Sequence, residues 1–181
     1  MANIKIENIV AYTQVSGLLD IKLLNEKLPD SNYNPNEFEG LSLKYENPKL
    51  AILIFADGKI VCTGAKIMDD VEKTINIIIK EIKDIGFEII EDYKIQIENV
   101  IVSTDLKKDM DLSSIASGLI LQNAEYKPEE FPGLIYRIDN LCAVLMLFSS
   151  GKLICTGAKS IDDATSAVDM MKEKLLSIGV L

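Results

Sequence analysis

The chain has 181 residues, of which 48% are apolar, enough to bury a substantial core. Against 28 Asp and Glu it sets only 19 Lys and Arg, a formal charge of −9. That balance excludes a blanket basic surface for gripping phosphates and confines any nucleic-acid contact to a local face. There is no histidine, so Ser-His-Asp and Cys-His catalysis and His-containing zinc or non-haem iron sites are excluded as well.

In chain order, the residues predict a strand near 4–12 and a short helix near 19–28, with Asp20 as its N-cap. Strands near 41–46, 50–56 and 59–65 follow, the last two joined by an Asp57-Gly58 turn. A long amphipathic helix near 68–85 repeats Val71, Ile75, Ile78, Ile82 and Ile85 at helical spacing and stops at Gly86. The series then recurs. A strand near 95–104 leads to a helix near 111–121 behind Asp111, and strands near 134–139, 142–149 and 152–158 carry a Ser150-Gly151 turn. A closing helix near 160–178 ends at Gly179. Cys62, Cys142 and Cys155 fall in apolar strand segments without a CxxC pair and are expected to be buried, reduced thiols. The N-terminus lacks the form of a secretory signal, and no run reaches the roughly 18 apolar residues of a membrane span. A cytoplasmic protein with no membrane partner is therefore expected.

The recurrence extends to identity. Segment 33–70 opens YNPNEFEGL and closes CTGAKIMDD; segment 126–163 opens YKPEEFPGL and closes CTGAKSIDD, with 17 identities in 38 ungapped positions. IENIV at 6–10 matches IENVI at 97–101. The halves are 1–91 and 92–181, without a Gly/Ser/Pro-rich linker, and are expected to form one continuous pseudo-two-fold α+β unit.

Strands with one solvated face alternate apolar and polar residues, but LAILIF (50–55) and AVLMLF (143–148) do not. Two helices per half can cover only one face of such a sheet. By alternation the uncovered face carries Asn8, Val10, Leu53, Phe55, Val61 and Thr63, with Asn99, Ile101, Met146, Phe148, Ile154 and Thr156 as counterparts. Ile9, Ile52, Ile54, Ile60 and Cys62 face the helices. A bare apolar surface of this extent marks a binding site. From the residues alone, a dimer interface or a second packed layer remains the alternative.

YNPNEF, FADGK and VCTGAK, echoed as YKPEEFPGLIYR, FSSGK and ICTGAK and each introduced by an ENIV-like strand, resemble the TATA-binding protein family along the whole chain, in both halves. The resemblance implies a saddle-shaped ten-stranded antiparallel sheet, with helices on the convex face and the concave face on the DNA minor groove. This family is itself the established example of bending DNA with apolar wedges. The resemblance places Phe38 and Phe55 in one DNA wedge and Phe131 and Phe148 in the other. It gives Asn8, Asn99, Thr63 and Thr156 the central hydrogen bonds to adenine N3 and thymine O2. Apolar contacts fall to Val10, Ile101, Leu53, Met146, Val61 and Ile154, and phosphate contacts to Lys44, Arg137, Lys59, Lys152, Lys66 and Lys159. The implied partners are A/T-rich promoter duplexes, transcription factor B through Glu129 and Glu130, and RNA polymerase indirectly; a homodimer is expected when DNA is absent. The cell type implied is archaeal, with the protein on the nucleoid. Neither cofactor nor metal is expected, and no enzymatic activity. Two residues depart from the pattern: Glu39 stands where its counterpart is Pro132, and Asp57 where it is Ser150. Each adds negative charge where DNA would lie.

Two other classes compete. An enzyme or ligand-binding domain on a curved sheet would need a catalytic carboxylate or lysine inside the concavity, where alternation places none. The repeated pairs Asp69-Asp70 and Asp162-Asp163 open helices, where the helix dipole favours them. A dimerisation module would use the bare sheet for self-contact.

Overall fold

A computed structural model describes residues 3–15, 17–118 and 124–181. The chain is α+β, with ten strands and four α-helices among the described residues. It divides into two compact units, residues 8–98 and residues 3–7 with 99–181. The unit boundaries fall inside the first strand of each sequence repeat.

The first series of elements is β1 (Lys5–Gln14), α1 (Ile21–Lys27), β2 (Ser31–Asn32), β3 (Leu41–Glu46), β4 (Lys49–Ile54), β5 (Lys59–Ala65) and α2 (Met68–Ile85). Hydrogen-bonded neighbours run β2-β3-β4-β5-β1. The second series is β6 (Gln96–Asp105), α3 (Leu112–Gly118), β7 (Ala124–Glu125), β8 (Gly133–Ile138), β9 (Ala143–Phe148), β10 (Lys152–Ala158) and α4 (Ile161–Ser177), with neighbours in the order β6-β10-β9-β8-β7. Eight strands follow from hydrophobic pattern, and the resemblance raises the number to ten. The two extra strands, β2 and β7, are two residues long, too short to show a period.

Local chemistry explains the boundaries. Asp20 caps α1 by accepting from the Lys22 and Leu23 N–H groups at 3.0 Å each, and Asp111 accepts from Ser113 and Ser114 at 3.1 Å each. The Ser114 hydroxyl and amide hold the Asp111 carboxyl below its ordinary pKa. The expected extension of α3 to 121 lies outside the described residues. Helix α2 ends at Gly86 in a left-handed conformation (φ 113°), with Phe87 N–H returning to the Ile82 carbonyl.

In each unit the long helix packs on one sheet face. Val71, Ile75, Ile78 and Ile82 of α2 are fully buried beside Ile9, Ile52, Ile54, Ile60 and Cys62, while Ile85 stays half-buried. In the other unit Ala164, Ala167, Val168 and Met171 of α4 are buried, as are Leu145, Leu147, Leu153 and Cys155. These are the residues that alternation assigns to the helix side.

Cys142 departs from expectation. It is exposed, and lies outside any strand. A 3-10 turn at Asp139–Leu141 closes the β8–β9 connection, and Cys142 leaves it in the left-handed region (φ 50°), its N–H bonded to the Asp139 carbonyl. The apolar run hid a turn. Burial pushes the thiols of Cys62 and Cys155 up to about 11 from an ordinary 9.0, with Asp70 adding to the shift at Cys62. Raised folded-state values favour the neutral thiol, so their contribution to stability is complete below pH 9 and is lost as pH climbs towards 11. Iodoacetamide at about pH 8 should modify Cys142 in the native protein and spare the other two until denaturant is added, as read by peptide mass spectrometry.

Candidate nucleic-acid interface

The ladders arrange the helix-free face in rows. In the first unit Ser42, Leu53, Val61 and Tyr12 lie across one another on β3, β4, β5 and β1; beside them run Lys44, Ala51 and Thr63. In the second, Ile135, Met146, Ile154 and Ser103 form the matching row, beside Arg137, Val144 and Thr156. Val10 and Ile101 continue the face on β1 and β6. All these apolar side chains are half-buried, whereas their strand neighbours on the helix side are fully buried. Tyr12, Ser42, Ala51, Ser103, Ile135 and Val144 join the face beyond the residues expected from sequence, although the same period of two reaches them.

Asn8 and Asn99 sit at the sheet's irregularities. The β1–β5 register slips between Ile9 and Ala11 at Gly64 (φ 93°), and the β6–β10 register slips at Gly157 (φ 91°). Asn8 Oδ1 accepts from the Gly64 N–H at 2.7 Å, and Asn99 Oδ1 from the Gly157 N–H at 2.7 Å. Each Asn Nδ2 is 3.4 Å from the hydroxyl of Thr63 or Thr156. Because the bulge amide demands an acceptor, the orientation of each side-chain amide is set: the oxygen accepts from the bulge, and the nitrogen donates to the Thr hydroxyl and keeps a second N–H. This linkage between Asn and a bulged glycine leaves no trace in hydropathy.

The four phenylalanines lie in two contacting pairs. Phe38 meets Phe55 edge to face at 5.6 Å between centroids, and Phe131 meets Phe148 at 5.7 Å. Phe38 is 40% exposed. It is raised by a turn in which its N–H bonds to the Asn34 carbonyl, as Phe131 N–H bonds to that of Lys127. A cleft of about 440 Å³ opens beside the first pair, bordered by Pro35, Asn36, Glu37 and Glu39. Gly40 and Gly133 make room for the rings. A Cβ on Gly40 would stand 2.6 Å from Phe38 Cε1, and one on Gly133 2.7 Å from Phe131 Cε1.

Lys44, Arg137, Lys152, Lys66 and Lys159 are exposed, and Lys59 is half-buried with its ammonium 4.7 Å from the Tyr12 ring centroid. Lys44, Arg137, Lys59 and Lys152 lie on the helix-free face by strand alternation; Lys66 and Lys159 follow the last residues of β5 and β10. Asp57 caps its turn by accepting from the Lys59 N–H at 3.0 Å, so part of its charge is engaged. Glu129 and Glu130 are exposed in the turn before Phe131. Lys127 pairs with Glu125 at 2.8 Å and reaches Glu130 at 3.6 Å.

A repeated, helix-free apolar face that carries amide donors, paired aromatics and a set of basic residues defines a surface-binding protein. The family model described as "Transcription factor TFIID (or TATA-binding protein, TBP)" matches residues 3–85 and again 94–178, and the chain belongs to this family. The TATA-box-binding protein of Archaeoglobus fulgidus is 43% identical over 178 residues, covering 98% of this chain and 97% of that protein. That of Picrophilus torridus is 44% identical over 181 residues, covering 100% and 98%. The solved structure of the Methanococcus jannaschii TBP superimposes with a TM-score of 0.85 at 40% identity, over 96% of this chain and 98% of that one.

Proposed function

We propose that this chain is a general transcription initiation factor, not an enzyme, that binds TATA-box promoter DNA through the minor groove. The observation that carries the reading is the amide geometry of Asn8 and Asn99, each with its oxygen held by a bulge amide and its nitrogen, bonded to Thr63 or Thr156, keeping a second N–H for an acceptor on an apolar face. The minor groove of A·T pairs offers only acceptors, adenine N3 and thymine O2, whereas G·C adds a donor amine. Two Asn donors with neighbouring Thr hydroxyls match the first pattern, and the surrounding Val and Leu side chains leave the amine of the second without an acceptor. Each Phe pair then acts as a wedge at a base step. Unstacking costs a few kcal/mol per step and is offset by the area buried as the groove opens. The names of the relatives agree with this reading.

The net charge of −9 requires the phosphate grip to be local. Lys44, Arg137, Lys59, Lys152, Lys66 and Lys159 supply it, and affinity should fall steeply with salt. The exposed turn at Glu129 and Glu130 is the proposed docking point for transcription factor B, which brings RNA polymerase. Lys127 already engages Glu130, so Glu129 is the more available acid. Without DNA, the bare apolar faces suit pairing of two copies in the cytoplasm, which DNA would displace. A fluorescence-transfer assay on end-labelled A/T-rich duplexes tests the function. The ends should approach on binding, and a G·C-substituted duplex should show neither approach nor retention; equal behaviour of both would overturn the proposal.

Glu39 and Asp57 place carboxylates near the first Phe pair. Glu39→Pro and Asp57→Ser should each strengthen binding about two- to fivefold at low salt, the gain shrinking as salt screens it. A salt titration that shows no difference removes the claimed repulsion.

A further inference from the structure

Among the differences between the two halves on the helix-free face, one exchanges an aromatic ring for a small hydroxyl. Tyr12, across from Val61, corresponds at a shift of 91 residues to Ser103, across from Ile154. The Tyr12 ring has two tethers. Its hydroxyl donates to Gln96 Oε1 at 2.9 Å, and the Lys59 ammonium lies 4.7 Å from its centroid. At the matching place the Ser103 hydroxyl donates to the Glu7 carboxylate at 2.7 Å, and a serine offers Lys152 no ring. Lys59 is accordingly half-buried, while Lys152 is exposed.

We propose that Tyr12 is a positioning residue for Lys59, holding its ammonium ready for a DNA phosphate and giving this half a preorganised contact that the other lacks. The proposal rests on the DNA-binding reading above. A lysine in water samples many rotamers and loses that freedom when it binds an anion. The ring's negative face attracts the ammonium and removes part of that freedom beforehand, while leaving its outer side open to an anion. The hydrogen bond to Gln96 keeps the ring from turning away. Lys152, with no such support, would contribute a phosphate contact of the ordinary mobile kind.

The test is a double-mutant cycle, with affinity for an A/T-rich duplex measured by anisotropy across a salt series. Wild-type binding is established first, and its failure would overturn the functional reading rather than this inference. Tyr12→Ser, which copies the other half, should weaken binding about three- to fivefold. Lys59→Ala should reduce the salt slope by about one. Combined, the two should cost clearly less than the product of their separate effects. Tyr12→Phe, which keeps the ring, should retain most of the coupling, whereas Tyr12→Leu, which keeps the bulk alone, should lose it. Lys152→Ala should cost the same in the wild-type chain as in the Tyr12→Ser variant. Independent, multiplicative effects of Tyr12→Ser and Lys59→Ala, or full coupling in Tyr12→Leu, would overturn the proposal. Thermal melting of each variant separates these outcomes from unfolding.

Discussion

Replacing Phe131 and Phe148 together by alanine should abolish most of the DNA bend and weaken binding by at least about 100-fold, or about 2.7 kcal/mol. The two rings support each other edge to face, so either one alone would lose its packing as well as its partner. Removing both would take away the proposed wedge, and the cost of unstacking, a few kcal/mol, would then have nothing to offset it. Both rings are only half-buried, and the core of that unit is built from Leu145, Leu147 and Leu153. The melting temperature should therefore change far less than the affinity. Gel mobility on phased duplexes reads the bend, and anisotropy reads the affinity. An unchanged bend would mean that these rings are no wedge.

Asn99→Asp should separate folding from binding more sharply. The new carboxylate can still accept from the Gly157 N–H, as Asn99 Oδ1 does at 2.7 Å, so the bulge keeps its acceptor. What disappears is the donor nitrogen, and a negative charge arrives against the groove floor, where only acceptors wait. Binding should fall by more than about 100-fold, the loss of a neutral donor together with an unpaired carboxylate set against acceptors costing several kcal/mol. Asn8→Asp should behave alike, because Asn8 Oδ1 meets Gly64 N–H in the same way. Asn99→Ala, by contrast, should also lower stability, since it strands the bulge amide. Calorimetry and a binding isotherm on the three variants read both quantities.

Much of the fold was legible because hydrophobic period and turn chemistry point the same way. The bounds of β3, β5, α2 and β10 match those expected from sequence, each set by an apolar period closed by glycine, aspartate or a register-bearing turn. The side assignment was equally readable: Ile52 and Ile54 are buried under α2 while Leu53 between them is not. Elements without a period were not. Strands β2 and β7 span two residues each, and Cys142 sits in a left-handed turn concealed by flanking apolar residues. In the site, residue types and faces were legible but linkages were not. Nothing in the pattern ties Asn8 to a bulged Gly64, clears space at Gly40 for Phe38, or lays Lys59 over Tyr12. Those depend on contacts between residues far apart in the chain, which only the folded geometry brings together.

Minor-groove reading can be isolated with inosine. An I·C pair presents the major-groove pattern of G·C but lacks the exocyclic amine, so its minor groove matches that of A·T. Affinity should be measured for three duplexes of one length, with A·T, I·C or G·C pairs at the bound positions. If Asn8 and Asn99 donate into an acceptor-only groove, the I·C duplex binds within a fewfold of the A·T duplex while the G·C duplex is lost. An I·C duplex held as poorly as G·C would contradict the account at its centre.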